Sequence, residues 1–169
     1  MAFQTAINIT QALAVEGDFA SANPRHSVPS VEGGFKAGVG GVLIARFVWA
    51  DVATNTLVLN AGSGAPTGFL HRDMNGLNQL YFTSPDATSF MIPSGFPVGE
   101  LFSGGDFWVR NTGAGAVAVG QKAFASNTTG QIQFGAAGAT IAGYTETKWF
   151  AQTAGLANEL ITMTNVPLG

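Results

Sequence analysis

The chain has 169 residues, a formal net charge of −3, two histidines and no cysteine. That length suits one domain, or one domain with an arm, and should bury roughly 70% of the unfolded surface without disulfide or metal staples. Disulfides and thiolate metal sites are excluded, and the mildly acidic balance argues against a protein that neutralises nucleic-acid phosphates. Only 10% of residues are charged, against about 25% in ordinary soluble domains, while 46% are hydrophobic and 23 are glycine. Two readings fit this composition. Either much of the surface is covered in an assembly, or Ser, Thr, Asn and Gln solvate a small neutral β-protein. The weight falls on assembly.

Residues 1 to 15 alternate loosely between apolar and polar (Phe3, Ile7, Ile9, Leu13, Val15), with an ambiguous period. They carry no Lys or Arg, so they do not read as a signal peptide, and no apolar run reaches the ~20 residues that span a bilayer. The expected location is therefore the cytoplasm where the chain is made, until it joins something, with no membrane partner. From Glu16 to Gly41 the chain holds six glycines and two prolines, which reads as an extended arm. The expected division is an arm over residues 1–41 and a β domain over residues 42–169.

Val42 to Trp49 is apolar on both faces apart from Arg46, the pattern of a buried central strand. Arg46 is expected to pair inside the fold, with a buried carboxylate or with carbonyls. Short strands follow at Leu57–Leu59, Phe69–Leu70, Leu80–Phe82 and Ser89–Ile92, with a Pro/Gly loop over 93–99. Asp106–Arg110 alternates, Val117–Val119 and Lys122–Ser126 continue the pattern, and Asn127 to Gly130 predicts a hairpin turn into Gln131–Phe134. Tyr144–Ala151, with Thr145, Thr147, Trp149 and Ala151 on one face, and Glu159–Thr164 complete the set. About ten short strands at 8–12-residue spacing, with no helical period, indicate an all-β sandwich or barrel. There is no internal repeat beyond Gly-Asp-Phe at both 17–19 and 105–107.

Several strings imitate enzyme motifs. His71-Arg72-Asp73 with Asn78 has the spacing of a kinase catalytic loop, but the Gly-rich loop, strand lysine and Asp-Phe-Gly that must accompany it are missing. Gly113 to Ala118 fits a loose dinucleotide fingerprint, yet a strand pattern follows where a helix N-terminus must receive the pyrophosphate. His26 and His71 have no carboxylate cluster near them in sequence and read as a surface and a rim histidine. Asp51, Asp73, Asp86 and Asp106 sit beside turn-like sequence, where Asp serves local hydrogen bonds. Trp49, Trp108 and Trp149 lie within strand patterns and suit packing better than a sugar platform. No catalytic residue, cofactor site or metal site is expected, and the chain is not expected to be an enzyme.

Over residues 16 to 126 a series of phrases resembles the head cement, or capsid decoration, proteins of tailed bacteriophages. They are Gly17-Asp18-Phe19-Ala20-Ser21, Asn23-Pro24-Arg25, Glu32-Gly33-Gly34, Ala37-Gly38 and Gly41-Val42. Arg46 to Asp51, Gly68-Phe69 with Arg72, Gly105 to Val109 and Gly120 to Ala125 complete the series. Members commonly carry glycine before the Arg-Phe pair, where this chain has Ala45. The resemblance implies a compact β-barrel or jelly-roll-like sandwich with an extended Gly/Pro-rich N-terminal arm. It also implies a place on the outer surface of the virion's shell. The partners implied are the major capsid protein and further copies of the chain, as a symmetric dimer or trimer. In the arm, Phe19, Arg25 and Phe35 are the expected partner contacts, because Arg and aromatic side chains anchor interfaces. The rival readings are a tail or fibre component and a carbohydrate-binding sandwich.

Overall fold

The computed structural model describes residues 14–30, 34–51, 56–73 and 90–166. The alternation over residues 1–13, Asn78, the strand expected at Leu80–Phe82, Asp86 and the first residue of the strand expected at Ser89–Ile92 lie outside them. The described residues form strands and turns only. The chain is all-β, built as two packed sheets with a small ribbon, and no closed barrel forms among the described residues.

The first sheet contains β1 (His26–Ser27), β2 (Lys36–Ala37), β4 (Arg46–Ala50), β5 (Leu57–Leu59), β6 (Gly68–Leu70) and β8 (Leu101–Gly104). Its order is β1-β8-β6-β4-β5-β2, so β4 is central, as its two apolar faces require. One face carries Phe47, Phe69 and Phe102 toward the second sheet. The other carries Val48, Leu70 and Leu101 into a second core with Phe35, Val42 and Ile92. That second core is roofed in part by a two-stranded ribbon of β3 (Val42–Leu43) and β7 (Met91–Ile92).

The second sheet runs β11-β10-β12-β13-β9, from β9 (Asp106–Arg110), β10 (Lys122–Ser126), β11 (Ile132–Gly135), β12 (Tyr144–Ala151) and β13 (Leu160–Thr164). The expected turn joins β10 to β11, with Gly130 at φ +65°. In β12, Thr147, Trp149 and Ala151 are buried on one face, as their spacing indicates. Between the sheets, Phe69 packs 4.8 Å from Phe107, and Trp149 lies 5.6 Å from Phe107 and 6.4 Å from Phe47. Each of these fully buried aromatic side chains contributes about 1.5–3 kcal/mol of transfer free energy. Val117–Val119 does not form the expected strand: only Val117 bridges, to Gly155, before a turn at Gly120.

The run Val42 to Trp49 is not one strand either. It breaks between β3 and β4, where Ala45 takes φ +60°. Asn60 spans the break, accepting from Leu43 N–H at 2.6 Å and donating to the carbonyls of Leu43 at 3.0 Å and Phe47 at 3.4 Å. This left-handed backbone explains why glycine suits position 45.

The described part of the segment read as an arm lies along the body as a strap. Residues 17–20 add to the free edge of β9: Gly17 N–H donates to Trp108 O (2.7 Å), Trp108 N–H to Asp18 O (2.9 Å) and Ala20 N–H to Asp106 O (2.9 Å). Further on, β1 pairs with β8 in the other sheet. The strap therefore crosses the seam beside Gly105 (φ +134°), where the chain passes from β8 to β9. Asp106 is only 1% exposed, and its carboxylate accepts from Ser21 Oγ (2.5 Å), Asn23 Nδ2 (2.6 Å) and Thr164 Oγ1 (2.5 Å). The reading of Asp106 as a local turn residue is corrected: its partners lie 58 to 85 residues away in sequence.

Two sets of variants test this framework. Asp106→Ala leaves three donors without their acceptor and should cost about 2–4 kcal/mol in denaturant unfolding. Breaking the half-buried Arg72–Asp18 pair or the exposed Arg110–Glu16 pair should cost less, about 1 kcal/mol or under. At the β3–β4 break, Ala45→Gly should stay within about 1 kcal/mol of the parent, because relief of the left-handed strain offsets the buried methyl. Ala45→Val, a β-branched residue at positive φ with Gly17 close against its Cβ, should lower stability by more than about 2 kcal/mol.

Candidate docking surface

The strap brings Phe19 and Arg25 together. Phe19 bridges Phe107 in register, and its ring stacks on His71 with centroids 4.7 Å apart while meeting Phe102 edge-on at 5.5 Å. The Arg25 guanidinium lies over the outer face of the same ring, 3.9 Å from its centroid. Phe19 keeps 36% of its surface exposed, Arg25 is exposed, and Arg25 makes no hydrogen bond or ion pair among the described residues. The Arg25 stem crosses the corner because residue 105 is glycine: a Cβ there would stand 2.9 Å from Arg25 Cγ. An exposed cation–π contact of this kind is worth about 0.5–1 kcal/mol, enough to favour this position of the guanidinium a few-fold and little more.

Beside this stack opens a cleft of about 440 Å³, with Arg25, Ser27, Asp73 and Glu100 on its walls and Phe102 and His71 at its back. It combines a cation, two carboxylates and aromatic faces, which is recognition chemistry. Among the described residues, no three His, Cys, Asp or Glu side chains are placed to hold a metal ion.

Phe35 is not on this surface. It is 4% exposed and packs in the second core, and its carbonyl accepts from Val98 N–H at 2.9 Å. The expectation that it meets a partner is corrected, because the fold already uses its ring. His71 and Phe102, which complete the stack, were not singled out for it: both stand at strand ends whose proximity only the sheet order creates. A second apolar area was also missed. Leu57 and Leu59 point outward from β5, each 39% exposed, and Val39, in the turn between β2 and β3, is 90% exposed. Period-two alternation through Leu57-Val58-Leu59 is the signal that could have shown it.

His71 is buried, not at the rim, and its Nδ1 has no partner among the described residues. Burial pushes its pKa down. The bond to the Glu100 main chain and the nearby carboxylates of Asp73 and Glu100 oppose this, and Arg25 adds to the lowering. The neutral ring is thus the form that fits the fold. Its stabilising effect is complete above the ordinary histidine pKa of about 6.5 and is lost as pH falls through that value toward the lower folded one. The thermal midpoint of the parent should therefore drop more between neutral and mildly acidic pH than that of a His71→Phe variant, which keeps the stack and cannot titrate.

A sequence model of the family described as XM1 gp53 minor capsid protein matches residues 3–165. Among solved structures, a chain of the capsid of Myoviridae Phage XM1 is similar with a TM-score of 0.62 at 21% identity, over 98% of this chain and 98% of that one. No curated protein matches. A likeness at that identity speaks for the fold, whereas the family match spans almost the whole sequence, and so the chain belongs to the XM1 gp53 minor capsid protein family, with a structural role in a phage capsid.

Proposed function

We propose that the protein is a cement of a tailed-phage head. In this reading it docks on the outer surface of the shell as a symmetric dimer or trimer, bridges neighbouring major capsid subunits, and catalyses no reaction. The observation that carries the proposal is the Arg25–Phe19 pair, held out from the seam of the two sheets on a strap bonded to both. Arginine and aromatic side chains presented in a fixed place are the usual anchors of protein interfaces. The scarcity of charge, at 10% of residues, suits a surface that is largely covered in its working state. Each copy touching several shell subunits would gain avidity from modest contacts. Because the assembled shell is bound and its dissociated parts are not, mass action would stabilise the particle.

The test is co-sedimentation of the protein with shells assembled without it, followed by cryo-EM of the pellet. Ordered density on the outer surface, lost or much reduced for Arg25→Glu, is the expected result. Density inside the shell or at the tail, or undiminished decoration by Arg25→Glu, would overturn the reading.

A further inference from the structure

On another side of the strap, Glu16 closes a cleft of about 260 Å³ between the two sheets, into which Arg46 and Arg110 both reach. Arg46 starts the central strand of the first sheet, and Arg110 ends the edge strand of the second. Their surroundings differ. Arg110 Nε donates to Glu16 Oε2 at 3.1 Å, and its Nη1 donates to the Asn158 carbonyl at 2.6 Å. Arg46 makes one hydrogen bond, from Nη1 to the Thr129 carbonyl at 3.2 Å, and has no carboxylate within bonding distance among the described residues. The expectation that Arg46 pairs inside the fold is thus met by a carbonyl alone.

Two guanidinium groups face one carboxylate, which leaves the cleft one positive charge in excess. Donors outnumber acceptors as well. Gln131, which lines the cleft, accepts from Thr129 through its side-chain oxygen at 3.1 Å, and its amide N–H groups have no partner among the described residues. Burial pushes the pKa of the Arg46 guanidinium down, and only the charge of Glu16, bonded elsewhere, raises it. Most of the Arg46 donors have no partner among the described residues, and a partly buried guanidinium takes an ionised oxygen acceptor more strongly than a neutral one.

We infer that the Arg46–Arg110 cleft is a receptor for a carboxylate side chain, Asp or Glu, presented by a neighbouring protein of the shell. The inference rests on the capsid-docking reading for the source of that carboxylate. A planar guanidinium takes a carboxylate through two parallel N–H···O bonds, a fork that a lysine cannot reproduce. The cleft admits one such side chain, with the Gln131 amide donating from the rim. A nucleic-acid backbone is the wrong occupant: the cleft is a single pit, and the chain around it carries a net charge of −3.

The test has two arms. In the first, the protein, Arg46→Gln and Gln131→Ala are titrated onto shells, with folding of each checked by its thermal melt. Arg46→Gln should bind at least tenfold more weakly, and Gln131→Ala severalfold more weakly. If Arg46→Gln fails to fold, Gln131→Ala, which leaves the guanidinium in place, carries this arm. In the second arm, sodium acetate is titrated into the protein alone, against sodium chloride at equal ionic strength. The Arg46 Nε–Hε resonance should shift saturably with acetate only. Unchanged shell binding by the folded variants, or an acetate response no different from chloride, overturns the inference. Should the parent protein fail to bind shells at all, the docking reading falls, and the acetate titration decides the cleft by itself.

Discussion

The chain changes sheets at Gly105, and most of the structure depends on how that corner is held. Strands β8 and β9 belong to different sheets and are separated by one residue, so the backbone must turn sharply there at φ +134°. Such a corner leaves peptide groups exposed at the edges of both sheets. They are satisfied from two sides. Asn165 accepts from Gly105 N–H at 2.9 Å and donates to the Ser103 carbonyl at 3.1 Å, while the strap pairs with β9 and β8 in turn. Asp106, buried one residue past the corner, then gathers Ser21, Asn23 and Thr164 onto one carboxylate. An unpaired carboxylate at that depth would cost several kcal/mol, so the cluster stands or falls as a unit.

The strap turns this constraint into a surface. Because Phe19 is a β partner of Phe107 and a stacking partner of His71, the residues that hold it in the fold also fix the height and angle of Arg25. A loose arm would have to lose its conformational freedom on meeting a partner, at about 1–2 kcal/mol for each backbone residue ordered. Residues 17 to 27 have lost it already on folding, which favours any contact they later make. The exposed Glu16–Arg110 pair and the half-buried Asp18–Arg72 pair add little beside the main-chain bonds and the Asp106 cluster, which hold the strap down.

What the sequence disclosed, and what it hid, divides along local and non-local lines. The two-sided apolar pattern of Phe47, Val48 and Trp49 announced a central strand, and Thr147, Trp149 and Ala151 announced the buried face of β12. Both are properties of neighbouring residues. The break at Ala45 was hidden because Val42 to Trp49 has an unbroken strand composition; the bend is enforced by Asn60, which no local pattern links to it. The repeated Gly-Asp-Phe was visible but mute. In the fold its two copies lie antiparallel, Phe19 opposite Phe107, with both glycines at positive φ. Gly/Pro-rich composition made residues 16 to 41 read as an arm, although extended segments of that kind can equally pair with an exposed edge. Phe35 was misjudged for the same reason: a lone aromatic in a glycine-rich stretch gives no sign of the second core that receives it.

The division of cations within the fold carries the argument one step further. Of seven basic residues, four are arginine and three are lysine. Every arginine belongs to the strap or faces it: Arg25 lies within it, Arg72 binds Asp18, Arg110 binds Glu16, and Arg46 shares the cleft that Glu16 closes. Lys122 and Lys148 lie on the second sheet, where Lys122 reaches the Lys148 carbonyl and the ring of Phe150, and Lys36 is on a far edge of the first. The guanidinium is the more weakly hydrated cation and the one with fixed directional donors, so it loses less on being covered and specifies more about what covers it. In a chain so poor in charge, keeping that group beside the strap separates a directional region from faces that carry lysine or exposed apolar side chains such as Leu57, Leu59 and Val39. If the protein docks as proposed, the directional region would set its orientation, and apolar surfaces of the second kind would fit against whatever that orientation brings near them.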